Sequence, residues 1–308
     1  MNGMILLDKP TGKTSFDADK FIRRISSAKK VGHLGTLDPF ATGLLPVFLG
    51  TGLKMIRYCE GFDKTYVCTA KFGAATDSMD VDGEIINRHE FTEEELNKLR
   101  EEDFKTIRDA FEEESKTEEQ MPPKFSAKKI DGKKAYELAR EGRDDILEQK
   151  LKPHKIKIYS LSSDEINLEG KDLRVTFTVH CSAGTYIRTI ADNVGRRTGF
   201  FAYAESLRRI GEGDFKIEDS YTFEQIEKMA EAGDFSFIKP AEDAIGFMPE
   251  VIVDAKVADD LSHGKKIPAT RINGIESADE KYRAIFDGKL IAIVYKSDDI
   301  IRCDRVFV

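Results

Sequence analysis

No apolar run in this 308-residue sequence approaches the roughly 20 residues needed to cross a bilayer, so no membrane partner is expected. Cysteine is scarce and dispersed. Cys59, Cys68, Cys181 and Cys303 form no CxxC pair and no histidine-spaced cluster. That argues against a disulfide framework and structural zinc, and favours a reducing cytoplasm. The first residues, MNGMILLDKPTGKTS, lack the basic start and small-residue cleavage site of a secretory leader. Internal repeats and low-complexity tracts are missing too. Two near-motifs fail on single residues. GKTS at 12–15 invites a phosphate-binding loop, but the glycine required five positions before Gly12 is Leu7. DSMDVDG at 77–83 hints at a calcium loop, yet Ser78 fills its first acidic place and His89 its twelfth. No metal site or dinucleotide signature stands in their place.

What is present suits a globular chain of one large domain or two: 40% of residues are hydrophobic and 34% charged. The net charge of −8 counts against a nucleic-acid partner until its distribution is examined. Residues 93–119 hold twelve Asp/Glu and five Lys/Arg, a local −7, whereas 124–157 hold eleven Lys/Arg and six Asp/Glu, a local +5. A phosphate backbone responds to the local basic face. In that stretch Lys124, Lys128, Lys129, Lys133 and Lys134 interleave with Phe125 and Tyr136, a composition that can grip phosphate and stack on bases but equally describes a solvated surface helix.

Along the chain, residues 4–7 read as a strand that turns at Asp8-Lys9-Pro10. Thr14 or Ser15 then caps a helix with Phe21, Ile22 and Ile25 on one face. Residues 31–43, VGHLGTLDPFATG, combine Gly32, Gly35 and Pro39 into a tightly turned loop, rather than a helix or strand, that holds Asp38 at a defined angle. Residues 64–72 read as a strand. Residues 93–119 form one charged helical segment with Leu96, Leu99, Ile107 and Phe111 as its stripe. A Pro pair at 122–123 precedes a short helix around Ala135, Leu138 and Ala139, which Gly142 ends. Residues 155–161 read as a strand. Leu173 to Cys181 alternate with period two, and Ile187, Ile190, Ala191 and Val194 form the stripe of a helix stopped by Gly199. Tyr186 and Arg188 fall at that helix's start. A helix and linker follow at 221–240, and from Val251 the texture is of short strands, including 289–295 and 300–308.

Several of these pieces, in order, resemble the TruB family of tRNA pseudouridine synthases: DKPTGKTSFD, GHLGTLDPFATG, TDSMDVDGE, PPKFSAKK, GTYIRT and AESLRRI. The resemblance spans nearly the whole chain. It implies an α+β fold with a mixed, largely antiparallel central sheet flanked by helices, over 1–245. An RNA-contacting insertion at about 93–152 and a small β-rich PUA-like RNA-binding domain at 250–308 complete it. By the same resemblance Asp38 is the essential carboxylate, Arg188 its ionic partner, and Tyr66 the aromatic that stacks on the flipped base. Tyr186 and Leu207 line the substrate site, Lys9 lies beside it, and His33 fills the gap left in the RNA. Phe125, Lys128 and Lys129 contact RNA. Without the resemblance an Asp-Pro turn, a core tyrosine and a core leucine would be the ordinary readings.

Pseudouridine formation breaks a glycosidic N–C bond and rejoins the uracil through carbon. It needs neither redox chemistry nor a cofactor, and none is expected. One ionised carboxylate can act as nucleophile on sugar or base, or help take a proton. A permanent guanidinium suits holding it charged. The expected substrate is uridine 55 in the T-arm of tRNA, extruded into the pocket by a monomeric, cytoplasmic enzyme. A guide-RNA-dependent relative is disfavoured by the long insertion and by the lack of terminal extensions. A non-catalytic RNA-binding protein is disfavoured by intact Asp38, Tyr66 and Arg188. Two departures stand out: Leu34 where many relatives carry Thr or Gly, and Gly199-Phe200-Phe201-Ala202 where a Gly-x-Gly-Ala turn is common.

Overall fold

The computed structural model describes residues 1–307. Two strands that are apolar on both faces set its layer order. In β1 (Gly3–Lys9), Ile5 and Leu7 enter one buried cluster while Met4 and Leu6 enter another. After β2 (Val31–His33), β3 (Thr42–Leu49) does the same, with Leu45, Val47 and Leu49 against Leu44 and Phe48. Continuous apolar runs of this kind belong to strands covered on both sides. Strands β4 (Lys64–Phe72), β5 (Ile158–Glu169), β6 (Asp172–Cys181), β7 (Ala202–Glu212), β8 (Phe215–Lys216) and β9 (Tyr221–Thr222) complete a nine-stranded sheet of order β5-β6-β4-β7-β3-β1-β9. β2 pairs with β3 and β8 with β7. Only β7–β3 and β1–β9 run parallel, so the sheet is mixed and largely antiparallel.

One face carries helices α1 (Ser15–Ser26), α2 (Glu93–Glu101), α3 (Lys105–Glu114) and, beyond α4 (Ala135–Arg140) and α5 (Asp144–Lys150) of the insertion, α6 (Ile187–Thr198) and α7 (Phe223–Glu231). Thr14 and Asp17 form the capping box that starts α1. α6 ends in a left-handed Gly199, φ 77°.

The other face packs on a second sheet. β10 (Glu250–Ile252), β11 (Ile267–Pro268), β12 (Lys281–Phe286), β13 (Lys289–Ser297) and β14 (Ile300–Val306) take the order β10-β12-β13-β14-β11. Ile293 joins Met4 and Phe48 in one apolar cluster, and the Lys54 ammonium donates to the Val306 carbonyl at 2.8 Å. Tyr58 donates to Asp304 across the same junction.

Four details differ from the sequence expectation. The 31–43 stretch opens with β2, because Val31 and His33 find ladder partners in β3. Residues 93–119 make two helices, since Asp103 and Phe104 turn left-handed at φ 49° and 56° and break the first before the second begins. The strand expected at 155–161 begins at Ile158 and runs on to Glu169. α8 (Ala255–Ser262) stands where only short strands are expected from Val251, capped by the Asp254 carboxylate on the Val257 N–H at 2.7 Å. Val308, the last residue of the final expected strand, lies outside the described residues.

The Phe200-Phe201 departure has a packing account. Phe201 takes the left-handed conformation (φ 55°) and donates its N–H to the Gly195 carbonyl at 3.0 Å. Phe200 meets His89 and Phe91, each at 5.1 Å between ring centroids. A glycine could supply the turn, but not the ring that packs on His89 and Phe91.

Candidate active site

The Asp38 loop is fastened from both sides. Ser15 Oγ, at the start of α1, accepts the Leu37 N–H at 2.9 Å and lies 3.1 Å from the Leu37 carbonyl. On the other side Gly12 N–H reaches the Pro39 carbonyl at 2.9 Å, and Thr11 Oγ1 reaches that of Phe40 at 3.1 Å. Beneath lies Lys9, fully buried, its ammonium donating to the carbonyls of Pro10 (2.9 Å) and Lys13 (2.6 Å). Burial lowers the Lys9 pKa to about 8, against the pull of Asp38. Lys9 thus supports the loop from behind and presents no surface to RNA. Gly35 holds φ 63°, and a Cβ there would lie 2.7 Å from both Arg209 Nη1 and Glu212 Oε1, so the loop's bend needs glycine.

So held, Asp38 Oδ2 lies 3.0 Å from Nε of Arg188, on the first turn of α6. Every guanidinium nitrogen is engaged. Nη1 donates to Asp80 Oδ2 (2.9 Å) and the Ser78 carbonyl (2.8 Å), and Nη2 donates to the Phe125 carbonyl (2.9 Å). The Arg188 side chain is only 4% exposed, whereas Asp38 keeps 39% of its side chain open to a cavity. That cavity is itself walled by protein. Burial pushes the Asp38 carboxyl above its usual range, Arg188 pulls it back most strongly, and Asp80 adds to the rise.

The cavity, about 360 Å³, is lined by Asp38, Arg188, Tyr66, Tyr186, Leu207 and a buried ionic group among others. Tyr66 points inward because β4 alternates, burying Lys64, Tyr66, Cys68, Ala70 and Phe72. Burial raises its phenol pKa, with Arg209 opposing. β7 reaches the same cavity through two register shifts, at 204–206 and 209–211. Each extra residue resets the alternation, so that Leu207, Arg209 and Glu212 all turn inward despite the odd spacing. Glu212 sits opposite Lys64 in register, with Oε1 3.1 Å from Lys64 Nζ and Oε2 3.3 Å from Arg209 Nη2. Tyr186 is clamped by Gln120, which accepts its N–H at 2.7 Å and donates to its carbonyl at 3.0 Å. The phenol pKa of Tyr186 is raised by burial.

Other expected site residues lie outside this cavity. The His33 ring is 10% exposed and tied through Nδ1 to Asp19 (2.9 Å) and through Nε2 to Thr36 (3.1 Å). Phe125 offers its carbonyl to Arg188 while its side chain is half-buried. Lys128 reaches the Lys152 carbonyl at 3.3 Å, and Lys129 is exposed. Much of the insertion's positive charge is paired locally, Lys124 with Asp144 (3.0 Å), Lys133 with Glu141 (3.0 Å) and Lys150 with Asp131. Lys128, Lys129, Lys134 and Arg140 make no ion pair among the described residues. Sequence reasoning overlooked Asp80, Gln120 and the Lys64–Glu212–Arg209 group. For Asp80 a signal existed in the acidic 77–83 stretch, which is suggestive of a cation loop but in fact faces an arginine.

Among the described residues no cluster of three or more His, Cys, Asp or Glu is placed to hold a metal ion, and no helix is long and apolar enough to cross a membrane.

Comparison with known proteins places this geometry in a family. The model of the TruB family pseudouridylate synthase N-terminal domain matches residues 23–187. A "tRNA pseudouridine synthase B" of Geobacter sulfurreducens is 38% identical over 266 residues, covering 86% of this chain and 82% of that protein. Its namesake in Streptococcus sanguinis is 32% identical over the full length of both. Among solved structures, a chain of the archaeal box H/ACA sRNP Nop10-Cbf5 complex superposes with a TM-score of 0.66 at 23% identity, covering 99% of this chain and 86% of that one. A chain of a Cbf5-Nop10-Gar1 complex gives 0.66 at 24%, covering 99% and 85%; at such identities the likeness speaks for the fold. With the family model over more than half its length and relatives above 30% identity along nearly all of it, the chain belongs to the TruB family and is a pseudouridine synthase.

Proposed function

We propose that this chain converts uridine 55 in the T-arm of tRNA to pseudouridine, acting without a guide RNA and with Asp38 as its essential carboxylate. The observation that carries the reading is the 3.0 Å pair of Asp38 and Arg188 at a cavity of about 360 Å³, within the roughly 300–1,000 Å³ usual for small-molecule sites. The buried cation holds the carboxylate oriented and offsets part of its burial; the open side of Asp38 faces the incoming nucleotide. tRNA as substrate is supported by the names of the curated relatives.

A uridine inside folded RNA reaches Asp38 only by turning out of its stack. Tyr66 then packs on the uracil, and its raised phenol stays protonated and able to donate. Tyr186 and Leu207 close the sides. His33 leaves its bonds to Asp19 and Thr36 to fill the gap in the RNA. The insertion grips the RNA through Lys128, Lys129 and Phe125, and 250–308 serve as a PUA-like RNA-binding domain. The four cysteines are unpaired, which suits a reducing cytoplasm, and the enzyme acts there as a monomer.

Incubating the purified chain with an unmodified T-arm stem-loop and mapping pseudouridine by position tests the substrate; product at another uridine refutes it. Asp38→Asn is expected to abolish tritium release from C5-labelled uridine while leaving RNA binding largely intact, and retained turnover refutes the role of Asp38.

A further inference from the structure

The first turn of α1 exposes an aromatic ring for which the fold gives no packing reason. Phe16 is 61% exposed, although Ser15 before it is buried. Ser15 is bonded to Leu37, one residue before Asp38, so Phe16 is carried on the same rigid support as the catalytic loop. Its ring meets His33 edge-on, with centroids 5.9 Å apart and planes at 84°. From the insertion, the Lys134 ammonium stands 5.8 Å from the Phe16 centroid and 5.4 Å from that of Tyr136, and Arg140 stands 5.6 Å from Tyr136. Lys134 and Arg140 belong to the cations without ion pairs among the described residues. An unpaired cation beside two aromatic rings is electrostatically complementary to a nucleotide: the rings offer faces to a base and the cations offer charge to its phosphate.

We propose that Phe16 is a stacking platform for a nucleobase of the substrate RNA next to the uridine that enters the cavity, with Lys134 and Arg140 neutralising the adjoining phosphates. The proposal rests on the RNA reading above and adds a specificity-determining residue outside the cavity. A base laid on Phe16 bridges α1 and the insertion, which in the free chain touch through Lys134.

The chain contains no tryptophan, so Phe16→Trp introduces a single indole reporter on an exposed position. Stacking predicts that its fluorescence is quenched by the unmodified T-arm stem-loop and that affinity is kept. Phe16→Ala and Phe16→Leu should both weaken binding, roughly 5- to 100-fold for loss of one base–aromatic stack. The penalty falls on KM, while the single-turnover rate at saturating RNA stays near that of the unaltered chain. If Phe16→Leu binds like the unaltered chain, apolar bulk rather than stacking is responsible and the proposal fails. It fails equally if the indole signal does not move while the same preparation forms pseudouridine. If the unaltered chain neither binds nor converts the stem-loop, the RNA reading itself has failed, and this inference falls with it.

Discussion

Asp80→Asn is the most discriminating perturbation of this site, because every group around the Asp80 carboxylate is a donor. Oδ1 accepts from Ser78 Oγ at 2.6 Å and from the Asp82 N–H at 3.1 Å, and Oδ2 accepts from Arg188 Nη1 at 2.9 Å. An asparagine has the same shape but one of its ends is an NH₂. Turned toward Arg188, that end opposes a guanidinium N–H; turned the other way, it opposes the Asp82 N–H. Either orientation forfeits a bond in a place where Asp80 is 6% and Arg188 4% exposed, so water cannot replace it. A hydrogen bond to a charged group contributes about 1.5–3 kcal/mol. At about 1.4 kcal/mol per tenfold, losing one that orients Arg188 predicts a single-turnover rate reduced roughly 10- to 100-fold. The measurement is tritium release from C5-labelled uridine at saturating RNA, alongside a binding titration and thermal unfolding. A folded variant that binds RNA normally and reacts at the original rate would show that Asp80 does not position Arg188.

The pH dependence follows from the raised Asp38 carboxyl. On the role proposed for Asp38, its working form is the ionised one, present above the folded value and lost as pH falls through it, so the acid limb of the single-turnover rate should lie above the ordinary aspartate value of 3.8. Arg188→Gln removes the strongest opposing charge and should carry the limb of any residual rate further up; a limb that stays put contradicts the electrostatic link. Charge reversal of Lys128 and Lys129 should weaken RNA binding and reduce the slope of log affinity against log salt by about one per lost phosphate contact, whereas an unaltered slope excludes both from the footprint. Gly43 has φ 103°, and a Cβ there would lie 2.2 Å from the Arg209 carbonyl of the parallel neighbour β7; Gly12, at φ 74°, has open space. Urea unfolding should show Gly12→Ala losing about 1–2 kcal/mol for backbone strain alone, and Gly43→Ala losing clearly more. Equal losses would mean that the β3–β7 contact yields easily.

The parts of the fold legible in the sequence are those encoded locally. The β-forming residues of 64–72 mark β4 at both ends, and in the structure each inward residue there has a core to enter with no bulge on that strand. The Asp38 loop is legible because Gly35 permits a left-handed bend and Pro39 fixes its own φ whatever surrounds them. Where the local signal is weak, the reading slips. Nothing between Leu99 and Ile107 is Gly or Pro, so the break between α2 and α3 is silent in composition; it depends on Asp103 and Phe104 taking left-handed backbone once the helices pack. α8 does carry a local signal, with an Asp254 cap and Val257, Ala258 and Leu261 at helical spacing. Strand-rich flanks on either side obscured it.

The site divides along the same line. Asp38 and Arg188 are identifiable because each sits in its own short motif, but the reason they act as a pair is tertiary. α6 delivers Arg188 to a spot where the 77–83 loop and the backbone of Phe125 already occupy its remaining donors. An arginine with only Asp38 for a partner could swing with it into solvent, whereas one fastened at three other points gives the carboxylate a fixed direction. The same reasoning explains why β7 needs its bulge at 209–211. A regular strand would bury Arg209 and turn Glu212 outward, leaving Arg209 and Lys64 as neighbouring buried cations with no anion between them. Glu212→Gln should therefore lower stability in urea unfolding, since it leaves the same two buried cations without their anion. The loss should be regained in part when Lys64 is made neutral as well, and no regain would show that the two cations do not depend on Glu212.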